Sequence, residues 1–278
     1  MAPIKVNKRS RSFPSRSHPA INKLEEEIDK LRSWEASSTS TSSSIIVGIS
    51  GLGDLYTSLD SVLSLQSVHE MLLSNLEGKF LDELLGGSVK TIDVCDQSRD
   101  LLSRFKETIQ ALESALRRRK GDSTIADDAN AYISFRKKMR KEVKKLLAMR
   151  VNQVESKHLL QSASVEDESV AMIGHVLGEV DSVCCSVFNS LLAFVASSSR
   201  QSKWYILARL VKTEATVDAV NEVQRIDTAL REETLQYEEI SKELKALGKG
   251  IENLEMALRI VSRRLIKARA SVLNIVSQ

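Results

Sequence analysis

Arg9-Ser10-Arg11-Ser12-Phe13-Pro14 sets a serine three residues after an arginine and two before a proline. Arg9 attracts a basic-directed kinase. Phosphorylated Ser12 would carry nearly two negative charges and several acceptor oxygens, the group that an arginine cluster in a reader protein binds. Arg9, Ser10, Ser12 and Pro14 fit the R-S-x-S-x-P pattern through which 14-3-3 proteins dock, with Pro14 turning the chain out of the groove. The competing reading is a generic basic arm, since a Ser/Arg-rich tail produces short motifs readily.

A second charged group is FRKKMRKEVKK, residues 135–145, with seven basic residues against Glu142. On a helix, Phe135, Met139, Val143 and Leu146 take the buried side. Arg136, Lys137, Arg140, Lys141 and Lys144 then face outward. Such a face suits an anionic membrane surface. Nucleic acid is disfavoured, because aromatic residues make up only 4% of the chain and stacking platforms are scarce. The bland alternative is a solvated face balanced by acidic helices elsewhere.

Chemistry of other kinds finds no constellation. GISGLG, residues 48–53, lacks the GxGxxG order, and neither a strand before it nor a basic residue after it prepares a phosphate site. A helix N-terminus is the better role for it. No P-loop, GxSxG elbow or HExxH occurs. Asp127-Asp128 and Glu232-Glu233 lie on segments that read as solvated, with no apolar pocket to raise a carboxyl pKa for acid–base work. His18, His69, His158 and His175 are scattered, and Cys95, Cys184 and Cys185 show no zinc spacing. Adjacent Cys184 and Cys185 point to different helix faces and bridge poorly, so the cysteines read as free thiols of a reducing compartment. The expectation is a protein without enzymatic activity, metal or cofactor. It is cytoplasmic or peripheral at a membrane. It is not secreted, because the N-terminus has no apolar signal core.

The elements that hold these residues are helices. All three prolines lie at positions 3, 14 and 19, and only 11 glycines occur among 278 residues. A β-protein needs turn residues every few positions, and proline breaks helix interiors, so this distribution favours long helices. Residues 1–17 read as a disordered basic arm. Residues 18–36 form an amphipathic helix burying Ile21, Leu24, Ile28 and Leu31, with Pro19 suited to its first turn. Residues 37–47, rich in Ser and Thr, read as a linker. Residues 48–278 form the bundle: two or three short helices over 52–85, a long one over 88–119, another reaching about His158, one over about 165–198 and one beginning near Trp204.

Within 165–198, Ser182–Ser199 contains no charged residue and reaches the lower length for a membrane span. Its six serines and Asn189 favour a buried bundle helix instead.

The C-terminal segment 240–275 carries the strongest period. Ile240, Leu244, Leu247, Ile251, Leu254, Leu258, Val261 and Leu265 repeat at 4-3 spacing, and Ala268, Val272 and Ile275 continue it. This is a heptad seam. It serves either the chain's own bundle or self-association with a second copy. Gly248 and Gly250 either kink this helix or divide it.

Several stretches resemble one family. RSRSFPSRSHPAINKLEEEIDKLRSWE is similar to the N-terminal signature of the plant-specific BYPASS-type family, and GLGDLYTSLDSVLSL to its next block. LLGGSVKTIDVCDQSRDLLSRFKETIQALESALRRRKGD, with Asp93-Val94-Cys95, resembles its most recognisable block, and YISFRKKMRKEVKKL and LRIVSRRLIKARASVLNIVSQ complete the set. The resemblance covers essentially the whole chain. It implies an all-helical protein with no established catalytic activity, associated with root and shoot development, and it carries no agreed site residues. The expected fold is therefore all-α: an elongated antiparallel bundle of long helices behind a basic arm.

Overall fold

The computed structural model describes residues 18–74, 79–118, 125–158, 168–197, 221–232 and 237–277. Among these residues there are eight helices and no strand. They are α1 (Pro19–Ser37), α2 (Ser42–Leu63), α3 (Gln66–Ser74), α4 (Lys79–Arg118), α5 (Ile125–His158), α6 (Glu168–Ala196), α7 (Glu222–Glu232) and α8 (Tyr237–Val276). The arm 1–17 and the helix start near Trp204 lie outside the described residues.

The 40-residue α8 is the spine, packed along both α2 and α4. Helix α1 lies against α2 and α6, while α5 bridges α4 and α6. Every seam residue of α8 from Ile240 to Ile275 is buried, Leu244 to Val261 completely. The heptad seam is thus the core of a single chain. Burying a leucine fully is worth about 1.5–3 kcal/mol, and this unbroken row accounts for α8 continuing as one helix through both of its glycines. The alternative of two helices divided there is corrected.

Gly250 serves a close approach: a β-carbon there would stand 2.8 Å from Ser42 Oγ on α2. Gly248 has room, with Ile109 Cγ2 3.8 Å from the corresponding position. We expect Gly248→Ala to raise thermal stability by about 0.5–1 kcal/mol, the usual gain for removing a mid-helix glycine. Gly250→Ala should lower it, and thermal unfolding of the two variants compares them directly.

The Ser/Thr-rich stretch is a tight turn of four residues rather than a linker over 37–47. Thr41 caps α2 by accepting from Ser44 N, and α2 starts at Ser42. Ser42 donates from both its backbone N and its hydroxyl to Glu222, at 3.2 and 2.7 Å to Oε1. This partner is 180 residues away in sequence. Trp34 Nε1 donates to the Ser44 carbonyl at 2.8 Å, and its ring lies where a β-carbon of Gly48 would be, 2.5 Å from Cζ2. The GISGLG stretch is therefore mid-helix packing surface in α2, neither a phosphate loop nor a helix N-terminus.

Helix α4 begins nine residues earlier than expected, taking Gly86 and Gly87 into its interior, and the stretch 52–85, expected as two or three short helices, is shared among the end of the 22-residue α2, the nine-residue α3 and the start of α4. Helix α6 holds the apolar stretch. Met172–Ala196 is long and apolar enough to cross a membrane, and half of that window is buried inside the bundle. Val183, Val187, Phe188, Leu191 and Leu192 point into the core.

Candidate interaction surfaces

Helix α5 places its arginines where the sequence reading did not. Ala129, Tyr132, Arg136, Met139, Val143 and Leu146 are spaced 3-4-3-4-3 and all are buried. Arg136 occupies a core position of that register and is only 1% exposed. Its guanidinium lies 5.0 Å from the centre of the Phe105 ring on α4. It donates to Asp227 of α7 through Nε (3.1 Å) and Nη2 (3.3 Å). It also donates to the carbonyls of Val195 (2.5 Å) and Ser197 (2.7 Å) at the end of α6. Arg140, one turn on, donates to Ala196 O and Ser197 O at 3.2 Å each and pairs with Asp227 Oδ2, the oxygen that also accepts from Arg136 Nη2. Tyr132 donates its hydroxyl to Asp227 Oδ1 at 3.1 Å.

The expectation of an outward Arg136 and Arg140 is corrected. Two cations, one carboxylate and the carbonyl end of a 29-residue helix form a buried clamp that ties α5, α6 and α7. The last carbonyls of a helix need donors and carry partial negative charge, and guanidinium groups meet both needs. Ser197 Oγ bonds Asn221 Oδ1 at 3.1 Å, and that oxygen also accepts from Gln224 N, capping α7. Burial pushes the Tyr132 hydroxyl well above its usual range and lowers Arg140 from its own. The hydrogen bonds of this cluster are spent within it, so it serves to fix helices.

Removing the arginines from the proposed basic face leaves lysines. Lys137, Lys141 and Lys144 are exposed, and so are Lys138 and Lys145. Glu142, the one acid in the run, is engaged by Arg104 at 2.5 and 3.3 Å. The sequence signal that separates the two kinds of cation is the heptad register itself. Reading Phe135 as the core position hid Arg136, whereas starting from Tyr132 exposes it. Phe135 is half-buried and stacks 6.2 Å from Phe105.

The phosphoserine motif of Arg9, Ser10, Ser12 and Pro14 lies outside the described residues. His18 Nδ1 accepts from Ala20 N at 3.2 Å, capping α1. The three cysteines are free thiols. Burial pushes Cys95 up to about 12, and Cys184 Sγ accepts the Tyr56 hydroxyl at 3.4 Å. No group of three metal-ligating side chains occurs among the described residues. A cavity of about 70 Å³ lined by Tyr56, Leu63, Leu85, Val180 and Val272 is mainly apolar. It is well below the ~300 Å³ at which small-molecule sites begin.

A family model described as Protein BPS1 matches residues 48–275. No curated protein and no solved structure matches the chain.

Proposed function

The chain belongs to the plant BPS1 family, whose molecular function is not established, and from that premise we propose that it is a non-enzymatic interaction protein regulating root and shoot development from the cytoplasm. The observation that carries this reading is the division of its polar groups. Among the ionisable side chains drawn inward, Arg136, Arg140 and Asp227 join α5 to α7, and Glu255 with Lys106 joins α8 to α4. The outward ones form extended charged helix faces, a surface that suits partners better than substrates. The arm adds a regulated contact: phosphorylation of Ser12 creates a docking group for 14-3-3 proteins.

Capture from plant extract with wild-type and Ser12→Ala baits, read by mass spectrometry with phosphosite mapping, tests the arm. We expect 14-3-3 proteins on the wild type alone, with Ser12 phosphorylated. An unmodified Ser12 and identical partners on both baits would remove the arm from the proposal.

A second reading, a peripheral membrane adaptor, is favoured by the exposed lysines at 137, 138, 141, 144 and 145. Lysine is a compact point charge that suits diffuse attraction to anionic headgroups.

A further inference from the structure

The second half of α8 has an outer face with a composition unlike the rest of the surface. After Glu255 the sequence MALRIVSRRLIKARASVLNIVSQ contains five basic residues and no acidic one. The seam occupies one side of the helix. On the opposite side Met256 (54% exposed), Ile260 (46%), Ile266 (52%) and Leu273 (41%) stand in solvent. Arg259, Arg263 and Lys267 are interleaved with them and exposed. Lys267 pairs with Asp60 at 2.9 Å while remaining 73% exposed. Arg259 and Arg263 have no carboxylate within ion-pair distance among the described residues.

This arrangement differs from the lysine face of α5. That face offers charge alone. The α8 face mixes large apolar side chains, at intervals of four, six and seven residues, with Arg259, Arg263 and Lys267 along about 26 Å of helix from Met256 to Leu273. A soluble protein ordinarily leaves single apolar residues exposed, and four of them spread over the outer side of one helix mark a contact. The apolar residues are spaced by cations and do not form a continuous ridge for a groove in a protein partner. Helices lying in the plane of a bilayer set apolar side chains at the headgroup boundary and carry Lys/Arg whose stems lie along the apolar surface with their charges turned to the lipid headgroups. There the apolar groups dip below the headgroups while the cations meet lipid phosphates.

We propose that the outer face of α8, built from Met256, Ile260, Ile266 and Leu273 with Arg259 and Arg263, docks the protein onto a bilayer surface bearing anionic phospholipids. The proposal rests on the membrane-adaptor reading and moves its principal contact from α5 to α8. The docking element is rigid, because the seam on its other side is held by the core. Binding therefore requires no folding of this helix, and the cost of ordering it is already met.

The test is co-sedimentation of the full chain with vesicles of phosphatidylcholine alone or of phosphatidylcholine with phosphatidylserine. Three variants accompany the wild type: Met256→Ser/Ile260→Ser/Ile266→Ser, Arg259→Glu/Arg263→Glu, and Lys137→Glu/Lys141→Glu/Lys144→Glu. All eight positions are solvent-facing, so circular dichroism should report native helicity in each. We expect the wild type to bind only the phosphatidylserine vesicles. The α8 charge reversal should weaken binding by roughly fivefold or more for each residue, on the basis of about 1 kcal/mol per cation near an anionic surface. The serine variant should weaken it about tenfold or more and make the remainder fully salt-labile. The α5 variant should keep most of the affinity. Loss confined to the α5 variant would overturn the α8 face and leave the adaptor reading standing. Absence of wild-type binding to either vesicle would overturn both.

Discussion

Asp227→Ala should destabilise the protein by about 3–5 kcal/mol, the usual cost of stripping one partner from a buried ion pair. Asp227 is 2% exposed and is the carboxylate counter-ion in contact with both Arg136 and Arg140. With the carboxylate gone, two guanidinium groups face each other in the interior and Tyr132 loses its acceptor. The α6 carbonyls offer only partial charge in compensation. Arg140→Met should cost less, because Arg140 is partly solvated and Arg136 still holds Val195 O and Ser197 O. Denaturant titration of the two variants ranks them. A cost for Asp227→Ala below about 1 kcal/mol, within the spread of ordinary surface substitutions, would show that the clamp contributes little. A double-mutant cycle with Arg136→Met then isolates the pair from the loss of packing against Phe105.

Leu258→Ala is expected to cost about 2–5 kcal/mol, the range for a leucine truncated in a close-packed core. Leu258 is fully buried between the flanking helices, and its carbonyl accepts the Cys95 thiol at 3.6 Å. Met256→Ser, two residues earlier on the opposite side of the same helix, should change stability by less than about 0.5 kcal/mol. The pair also separates the two uses of a heptad. Because the seam faces α2 and α4 of its own chain, Leu258→Ala should lower the melting temperature and leave the sedimentation coefficient of the folded protein unchanged. A variant that instead shifts the protein from a larger species to a smaller one would mean that the seam also joins copies.

The helical elements were readable because helix formation is recorded locally. The absence of proline after residue 19 and the 4-3 spacing from Ile240 onward are enough to require long helices and to name the buried side of α8. The buried side of the first helix, Ile21, Leu24, Ile28 and Leu31, follows from the same rule, and the structure buries each of them.

Polar positions were less readable, for a physical reason. A leucine's preference for the interior holds whatever its neighbours are. An arginine's depends on whether a distant part of the chain supplies its counter-charge. Nothing near Arg136 announces Asp227, which lies 91 residues on, or the free carbonyls that end α6. Ser42 likewise starts a helix instead of a linker because Thr41 caps it and Glu222 reaches it from 180 residues away.

The sequence by itself therefore determined the all-helical class, the family and the seam. The tertiary structure decided which cations go inside and which stay out, that the seam belongs to the chain's own core, and which outer face of α8 remains in solvent with its apolar residues uncovered. Periodicity specifies one side of a helix. Only the arrangement of the neighbouring helices specifies what meets the other.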